Sequence, residues 1–232
     1  MKLLAIDTSS LGCSVALQCN DRIEERHEEQ AREHTRLLTP MIRDILASGG
    51  VDLPELDAIV LGNGPGSFIG MRIAASVAQG LAHGSGAKIV PVSSLAAIAA
   101  EVFATTDAKE VVVAQDAHMS EVYLGAYAGG PDDLPHEIFP ERLQTQTRIE
   151  EFDEPGSAER VAAGFGWQRY PLLAEANRPV IGVFSEVHHP RARHLLSMGA
   201  AALQLGEAIE PRHLMPAYLR SKVAEKPGGV GS

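Results

Sequence analysis

Two short stretches of this chain carry residue types suited to holding a phosphate or a metal. The first is Asp7-Thr8-Ser9-Ser10, a carboxylate closing an apolar run and followed by hydroxyls. A carboxylate at a strand end can hold a cation, and hydroxyl and amide donors beside it can hold phosphate oxygens. The same residues also make an ordinary hairpin turn whose hydroxyls bond their own backbone, and residue types alone allow both readings. The second stretch is Gly62-Asn63-Gly64-Pro65-Gly66-Ser67, set between the apolar run Ala58-Ile59-Val60-Leu61 and a helical pattern from Gly70. Strand, glycine loop and helix in that order place unpaired amides at the helix start, where Ser67 serves as cap and Gly64, Gly66 and Ser67 face any anion.

The loop fits neither standard phosphate motif. A P-loop needs Lys followed by Ser or Thr after its last glycine, and Ile69-Gly70-Met71 stands there instead. In the dinucleotide fingerprint the last two glycines lie three apart, whereas Gly64 and Gly66 lie two apart. A structural turn and an anion or partner site both use the close backbone approach that glycine permits. His34 lies on an apolar stripe and reads as a packed histidine. His188, His189 and His194 invite a metal, but neighbours on a strand point to opposite faces and no carboxylate stands at a matching spacing, so no metal site is expected.

The elements that position these residues follow from periodicity. Residues 2–7, 13–18 and 23–28 read as strands. Residues 33–48 form an amphipathic helix with His34, Leu37, Leu38, Met41, Ile42 and Ile45 on one side, bent at Pro40 and ended by Gly49-Gly50. After the strand and glycine loop, residues 70–83 make a second helix, with Met71, Ala74, Ala78 and Leu81 on one face and Val77 on the next stripe. Residues 87–92 are a strand, and Ser93-Ser94 caps a helix to Thr105. The opening pattern then returns. Val111 to Asp116 is an apolar strand closing on aspartate, residues 117–120 turn, and residues 122–127 run back. Asp7 precedes Val15 by eight positions and Asp116 precedes Tyr123 by seven, a weak internal repeat that predicts two related α/β lobes. Prolines break up residues 129–179, where strands are expected near 137–143 and 161–165 and Trp167 and Tyr170 close a core or a lobe edge. A last helix spans 190–205. The expected division is a first lobe over residues 1–106, a second over 107–225 whose final segment returns to the first, and a disordered tail over 226–232.

Size and charge narrow the function. The chain has 232 residues, enough for a large core, with a net charge of −10. Its pI of about 5.3 argues against a broad nucleic-acid surface, so contact with RNA would come through a basic partner. No run is long enough for a signal peptide or a membrane helix. Cys13 and Cys19 share a predicted strand, which sets them roughly 20 Å apart at ~3.3 Å per residue, against the ~7 Å limit for a disulfide. Reduced cysteines fit a cytoplasmic protein.

Taken together, IDTSSLGCSVAL, GNGPGSFIGMRIAASVAQGLA, PVSSLAAIA, QDAHMSEVYLGAY and PAYLRSKVA closely resemble the TsaB (YeaZ) family, from Lys2 to about Ala224 and weakest over 130–180. The resemblance implies the two-lobed α/β fold of actin, Hsp70 and sugar kinases (ASKHA). It also implies a role in placing threonylcarbamoyl on adenosine 37 of tRNAs that read codons beginning with A. In that pathway TsaD transfers the group from threonylcarbamoyl-AMP, TsaB is its obligatory partner and the ATPase TsaE assists. TsaD carries a His-x-x-x-His metal pair; here His34 is followed at that spacing by Leu38, so the second ligand is missing. Relatives often carry Arg after the match to Asp116-Ala117, where this chain has His118.

The leading expectation is therefore a non-catalytic scaffold with no cofactor of its own. It would meet homologues of TsaD and TsaE, dimerise when alone, and meet tRNA only through the complex. ATP or ADP would sit at a shared interface against Asp7, Ser9, Gly64, Gly66 and Ser67. The partner face would comprise His34, Leu38, Met41, Met71, Ala74, Ala78 and Leu81, with Ala74 and Ala78 letting another helix approach. The alternative is an ATP-dependent small-molecule kinase of the same fold, with Asp116 as general base; no basic residue near the Asp7 turn supports it. A protease lacks any Ser/His/Asp set.

Overall fold

β1 (Lys2–Asp7) is apolar throughout its middle because both of its faces are covered. The computed structural model describes residues 1–29, 33–152 and 160–220. Strand periodicity sends Leu4 and Ile6 to one layer and Leu3 and Ala5 to the other, all of them fully buried. β2 (Gly12–Cys19) and β3 (Arg22–Glu29) continue as antiparallel strands. β4 (Ala58–Gly62) pairs parallel with β1, and β5 (Lys88–Val92) pairs parallel with β4. The order is β3-β2-β1-β4-β5. The β3 edge reads Arg22-Ile23-Glu24-Glu25-Arg26-His27-Glu28-Glu29, a charged rim of the kind that discourages edge-to-edge pairing.

The second sheet repeats this plan. β6 (Glu110–Asp116), β7 (Glu121–Ala128) and β8 (His136–Thr145) are antiparallel, and β9 (Arg160–Ala163) and β10 (Val183–Phe184) add in parallel, in the order β10-β9-β6-β7-β8. Each strand of the first sheet thus has a counterpart in the second, with β1 matching β6. The repeat read from the two aspartates is a repeat of topology.

Helices fill three layers. α1 (His34–Gly49) and α2 (Phe68–Ser85) cover the outer face of the first sheet. α3 (Ser94–Thr105) lies between the sheets, with Ala97 in the core beneath β1 and Leu95, Ile98 and Val102 in the core beneath β6. A 3₁₀ turn (Ala192–Leu195) and α6 (Leu196–Gln204) share that layer, where the sequence pattern predicts one helix over 190–205. The amide of Ala192 is taken by Ser14 Oγ at 2.8 Å, and the first turn tightens to meet it. α4 (Phe165–Arg169) and α5 (Pro171–Asn177) cover the far face of the second sheet, where no helix was predicted. α1 runs through Pro40, whose ring lies on the exposed side. Cys13 and Cys19 are both unpaired on β2. The predicted tail over 226–232 lies outside the described residues.

Candidate functional site

β1 delivers Asp7 to the end of the first sheet, but not to solvent. Its carboxylate is fully buried. Oδ1 accepts from Ser9 N and Ser9 Oγ, both at 2.8 Å, and Oδ2 accepts from Ser94 Oγ at 2.6 Å. Burial pushes its pKa up to about 6, against the opposing pull of these three hydrogen bonds. Ser94 extends the network to the glycine loop, accepting from Gly64 N at 3.1 Å while its own amide donates to Gly64 O at 2.8 Å. The loop then lies on the Asp7 turn. Ser67 N donates to Ser9 O at 2.6 Å and Thr8 Oγ1 donates to Gly70 O at 2.7 Å. At Gly70 a Cβ would stand 1.9 Å from Thr8 O, so only glycine lets the two segments meet.

The Asp7 turn and the glycine loop thus fill one another. This corrects the nucleotide contacts expected of Asp7 and Gly64, whose polar groups are spent inside the fold. Ser9 and Ser67 do line the cleft between the lobes, while Gly66 lies over Ser9 beside a smaller cavity. Ser67 also caps α2, accepting from Gly70 N at 3.2 Å, a contact worth about 1 kcal/mol.

The cleft is a cavity of about 650 Å³, with Ser9, Ser10, His34 and Ser67 on the first-lobe side and Gln115, Asp116, Phe165 and His189 on the other. Asp116 ends β6 as Asp7 ends β1, yet it is partly open. Its Oδ1 accepts from His118 N at 2.8 Å and from Tyr170 OH at 2.7 Å. Burial and Asp116 push the Tyr170 phenol up to about 12, so it stays a donor. Gln115 Nε2 donates to His188 O at 2.6 Å. His189 stacks on Phe165 with ring centroids 5.6 Å apart, and burial lowers its pKa. His27, His188 and His189 each keep a buried Nδ1 without a partner, but among the described residues no group of three His, Cys, Asp or Glu side chains is placed to hold a metal ion.

Beside Asp116 the β6–β7 turn is strained. His118, Met119 and Ser120 all have positive φ, at 60°, 53° and 62°. For L-residues this region costs roughly 1–2 kcal/mol each. The open His118 side chain sets Nδ1 3.3 Å from Asp116 Oδ2.

The structure turns most of the expected partner face inward. Leu38, Ala74 and Ala78 are fully buried, and Met71, His34 and Met41 nearly so; Leu81 is partly buried against the same core. The spacing marks the face of each helix that packs on its own sheet, and the alanines let α2 come close to β4. The opposite side of α2 is open, carrying Ile69, Arg72, Ser76, Gly80 and Gly84, with Ile69 69 % exposed.

Two α/β lobes of like topology around a cleft define a protein of the ASKHA type. The protein-family model described as "TsaD: tRNA N6-adenosine threonylcarbamoyltransferase" matches residues 23–227. End-to-end likeness is to TsaB proteins. The tRNA threonylcarbamoyladenosine biosynthesis protein TsaB of Escherichia coli is 35 % identical over 226 residues, 97 % of each chain. That of Haemophilus influenzae is 35 % identical over 233 residues, 97 % of this chain and 96 % of its own. The solved structure of YeaZ from Pseudomonas aeruginosa superposes with a TM-score of 0.82 at 34 % identity, covering 94 % of this chain and 99 % of that one. The chain belongs to the TsaB (YeaZ) family.

Proposed function

We propose that this chain serves tRNA threonylcarbamoyladenosine formation as a non-catalytic subunit beside a TsaD-type transferase and a TsaE-type ATPase, meeting tRNA only within the complex. The observation that carries this reading is the state of Asp7. A kinase of this fold would use Asp7 to hold phosphates, and here its carboxylate is buried and tied to Ser9 and Ser94. Leu38, at the position of the second metal histidine of TsaD, lies in the core.

The partner face belongs on the open side of α2, with Ile69, Ser76 and Gly80, next to α1. An added Cβ on Gly80 would meet nothing within 4 Å, so a partner helix has room to approach there. ATP or ADP, if held, sits where Ser9 and Ser67 meet the partner. The test is co-purification with the TsaD homologue of the same organism, alongside chromatographic assay of the modified nucleoside in the reconstituted reaction. Gly80→Arg should leave the isolated chain folded and abolish both complex and product. Product formed without this chain, or complex formed by Gly80→Arg at wild-type affinity, overturns the reading.

The small-molecule kinase remains the second reading because a cleft of about 650 Å³ with Asp116 on its wall suits a bound substrate. Steady ATP turnover by the isolated chain, lost in Asp116→Asn, would favour it.

A further inference from the structure

After α6 the chain returns along the first lobe and then crosses to the second. Ile209 pairs with Ile89 in both directions, at 2.8 and 2.9 Å, on the free edge of β5. Pro211 O accepts from Gln79 Nε2 of α2 at 2.9 Å. Asn63, in the glycine loop, donates through Nδ2 to Met215 O at 3.1 Å and accepts from Ala217 N at 3.2 Å. Tyr218 stacks on Phe68 at 5.6 Å between centroids and accepts from Arg72 Nε at 2.9 Å. Up to this residue every hydrogen bond named is to the first lobe.

Arg220 then reaches the other lobe. One guanidinium nitrogen donates to Ala117 O at 2.9 Å, to His118 O at 3.3 Å and to Glu121 Oε2 at 2.5 Å; another lies 3.2 Å from Met119 Sδ. Only 15 % of the side chain is exposed. All four contacts fall on the turn whose three central residues have positive φ. A charged donor group shared among two backbone carbonyls and a carboxylate can hold a backbone in an otherwise unfavourable shape. Beneath the strap, between the glycine loop and this turn, lies a cavity of about 180 Å³ walled by Phe68, Met71, Met119, Tyr123, Tyr218 and Arg220.

We propose that residues 209–220 are a latch between the lobes with Arg220 as its pin, and that withdrawing the pin relaxes the 118–120 turn and opens the apolar cavity. Among the described residues, the first-lobe half of the strap is held by several separate hydrogen bonds, and the hydrogen bonds named to the second lobe all come from Arg220. The strain in the turn favours relaxation of its backbone when that side chain leaves, against the remaining bonds from His118 N to Asp116 Oδ1 and from Gln146 Nε2 to Ser120 O. This inference does not depend on the scaffold reading, since it concerns the isolated chain.

Hydrogen–deuterium exchange of the full chain, read by mass spectrometry, tests it together with binding of the apolar dye 1-anilinonaphthalene-8-sulfonate. Arg220→Ala should speed exchange at least tenfold at Ala117 and Glu121 in the turn and at Ala217 in the strap, leave β1 and β2 unchanged, and raise dye fluorescence. Glu121→Gln, which removes the charge but keeps an acceptor, should show a smaller effect at the same amides. If the turn loosens while Ala217 stays protected, Arg220 merely caps a turn and the latch is refuted; unchanged exchange at both refutes it equally. Should Arg220→Ala fail to fold, Arg220→Lys, which keeps the charge without the fork, is read by the same criteria.

Discussion

A Cβ built on Gly62 would stand 1.9 Å from Oδ2 of Asp7. The absent side chain at the end of β4 is what makes room for the buried carboxylate at the end of β1. Gly62→Ala should therefore force Asp7 or the strand to move, lowering stability by about 1–3 kcal/mol or more. Gly84→Ala is the control, since nothing lies within 4 Å of its added Cβ. In the α2 helix that change should be neutral or stabilising by up to ~1 kcal/mol. Urea unfolding of both variants measures the difference.

Two groups shielded from water, one fully and one partly buried, give the stability opposite slopes with pH. Asp7, raised to about 6 by burial, binds a proton in the native state before the unfolded chain does. Its contribution is complete below pH ~4 and is lost as pH rises through about 6, a swing on the order of 3 kcal/mol. His194 is lowered to about 4 by burial first and then by Arg193 and Arg191, although Glu101 Oε2 lies 3.8 Å away; Arg191 itself bridges to Glu101 and occupies much of that carboxylate's attraction. The unfolded chain takes its proton first, so stability is lost as pH falls from about 6.5 to about 4. The two nearly cancel. Asp7→Asn should reveal a steep loss of stability on acidification over pH 6.5–4, and His194→Gln a gain over pH 6–4, in melts taken across that range.

Ala78→Glu places a carboxylate in the core beneath β4, where it has no partner, and should cost several kcal/mol or prevent folding. Gly80→Glu, two positions on and at the open face, should change the melting temperature little. Equal losses in the two variants would mean that α2 is turned the other way.

Asn177 is fully buried at the end of α5. Its Oδ1 accepts from Ile149 N at 2.8 Å, and its Nδ2 donates to Thr147 O at 3.1 Å and Leu173 O at 2.8 Å. Asn177→Ala leaves those groups unsatisfied and should cost on the order of 3 kcal/mol. Asn177→Asp turns two donor contacts into acceptor clashes and should do worse. Denaturant titration ranks them.

How far the chain could be read in advance depended on the range of each signal. The strands that end in Asp7 and Asp116 were legible because alternation and apolar content are local, and two aspartates in matching places exposed the repeat. α4 and α5 were not, since helices as short as Phe165–Arg169 and Pro171–Asn177 span too few turns for a period to show. The roles of Trp167, which donates to Val112 O at 3.1 Å, and Tyr170, bonded to Asp116, depend on partners more than fifty residues away in sequence. Periodicity marks the buried stripe of α2, but a stripe does not say what covers it, and Ala74 and Ala78 suit a partner and the chain's own sheet equally on spacing alone. The fate of Asp7 was likewise out of reach. Ser94, its buried partner, reads in sequence only as part of a helix cap.

The layer between the sheets sets the order in which this protein can be finished as it leaves the ribosome. Leu3, Ala5 and Val60 rest in one core with Ala192, Leu195 and Leu196, and Gly199 lies so close to Val60 that an added Cβ would fall 2.4 Å from it. All five strands of the first sheet are complete at Val92, yet part of its inner cover, Ala192 to Leu196, emerges only after the strands of the second sheet have been made. At ~5–20 residues per second, a nascent first lobe keeps that apolar face partly bare for several seconds. The second sheet has a shorter wait, since its last strand ends at Phe184 and the residues that complete its inner core, Val187 and Met198, follow within about fifteen positions. The part of the chain translated first is thus among the last to be sealed, and a nascent-chain chaperone would find its binding surface on β1 and β4 rather than on the later half.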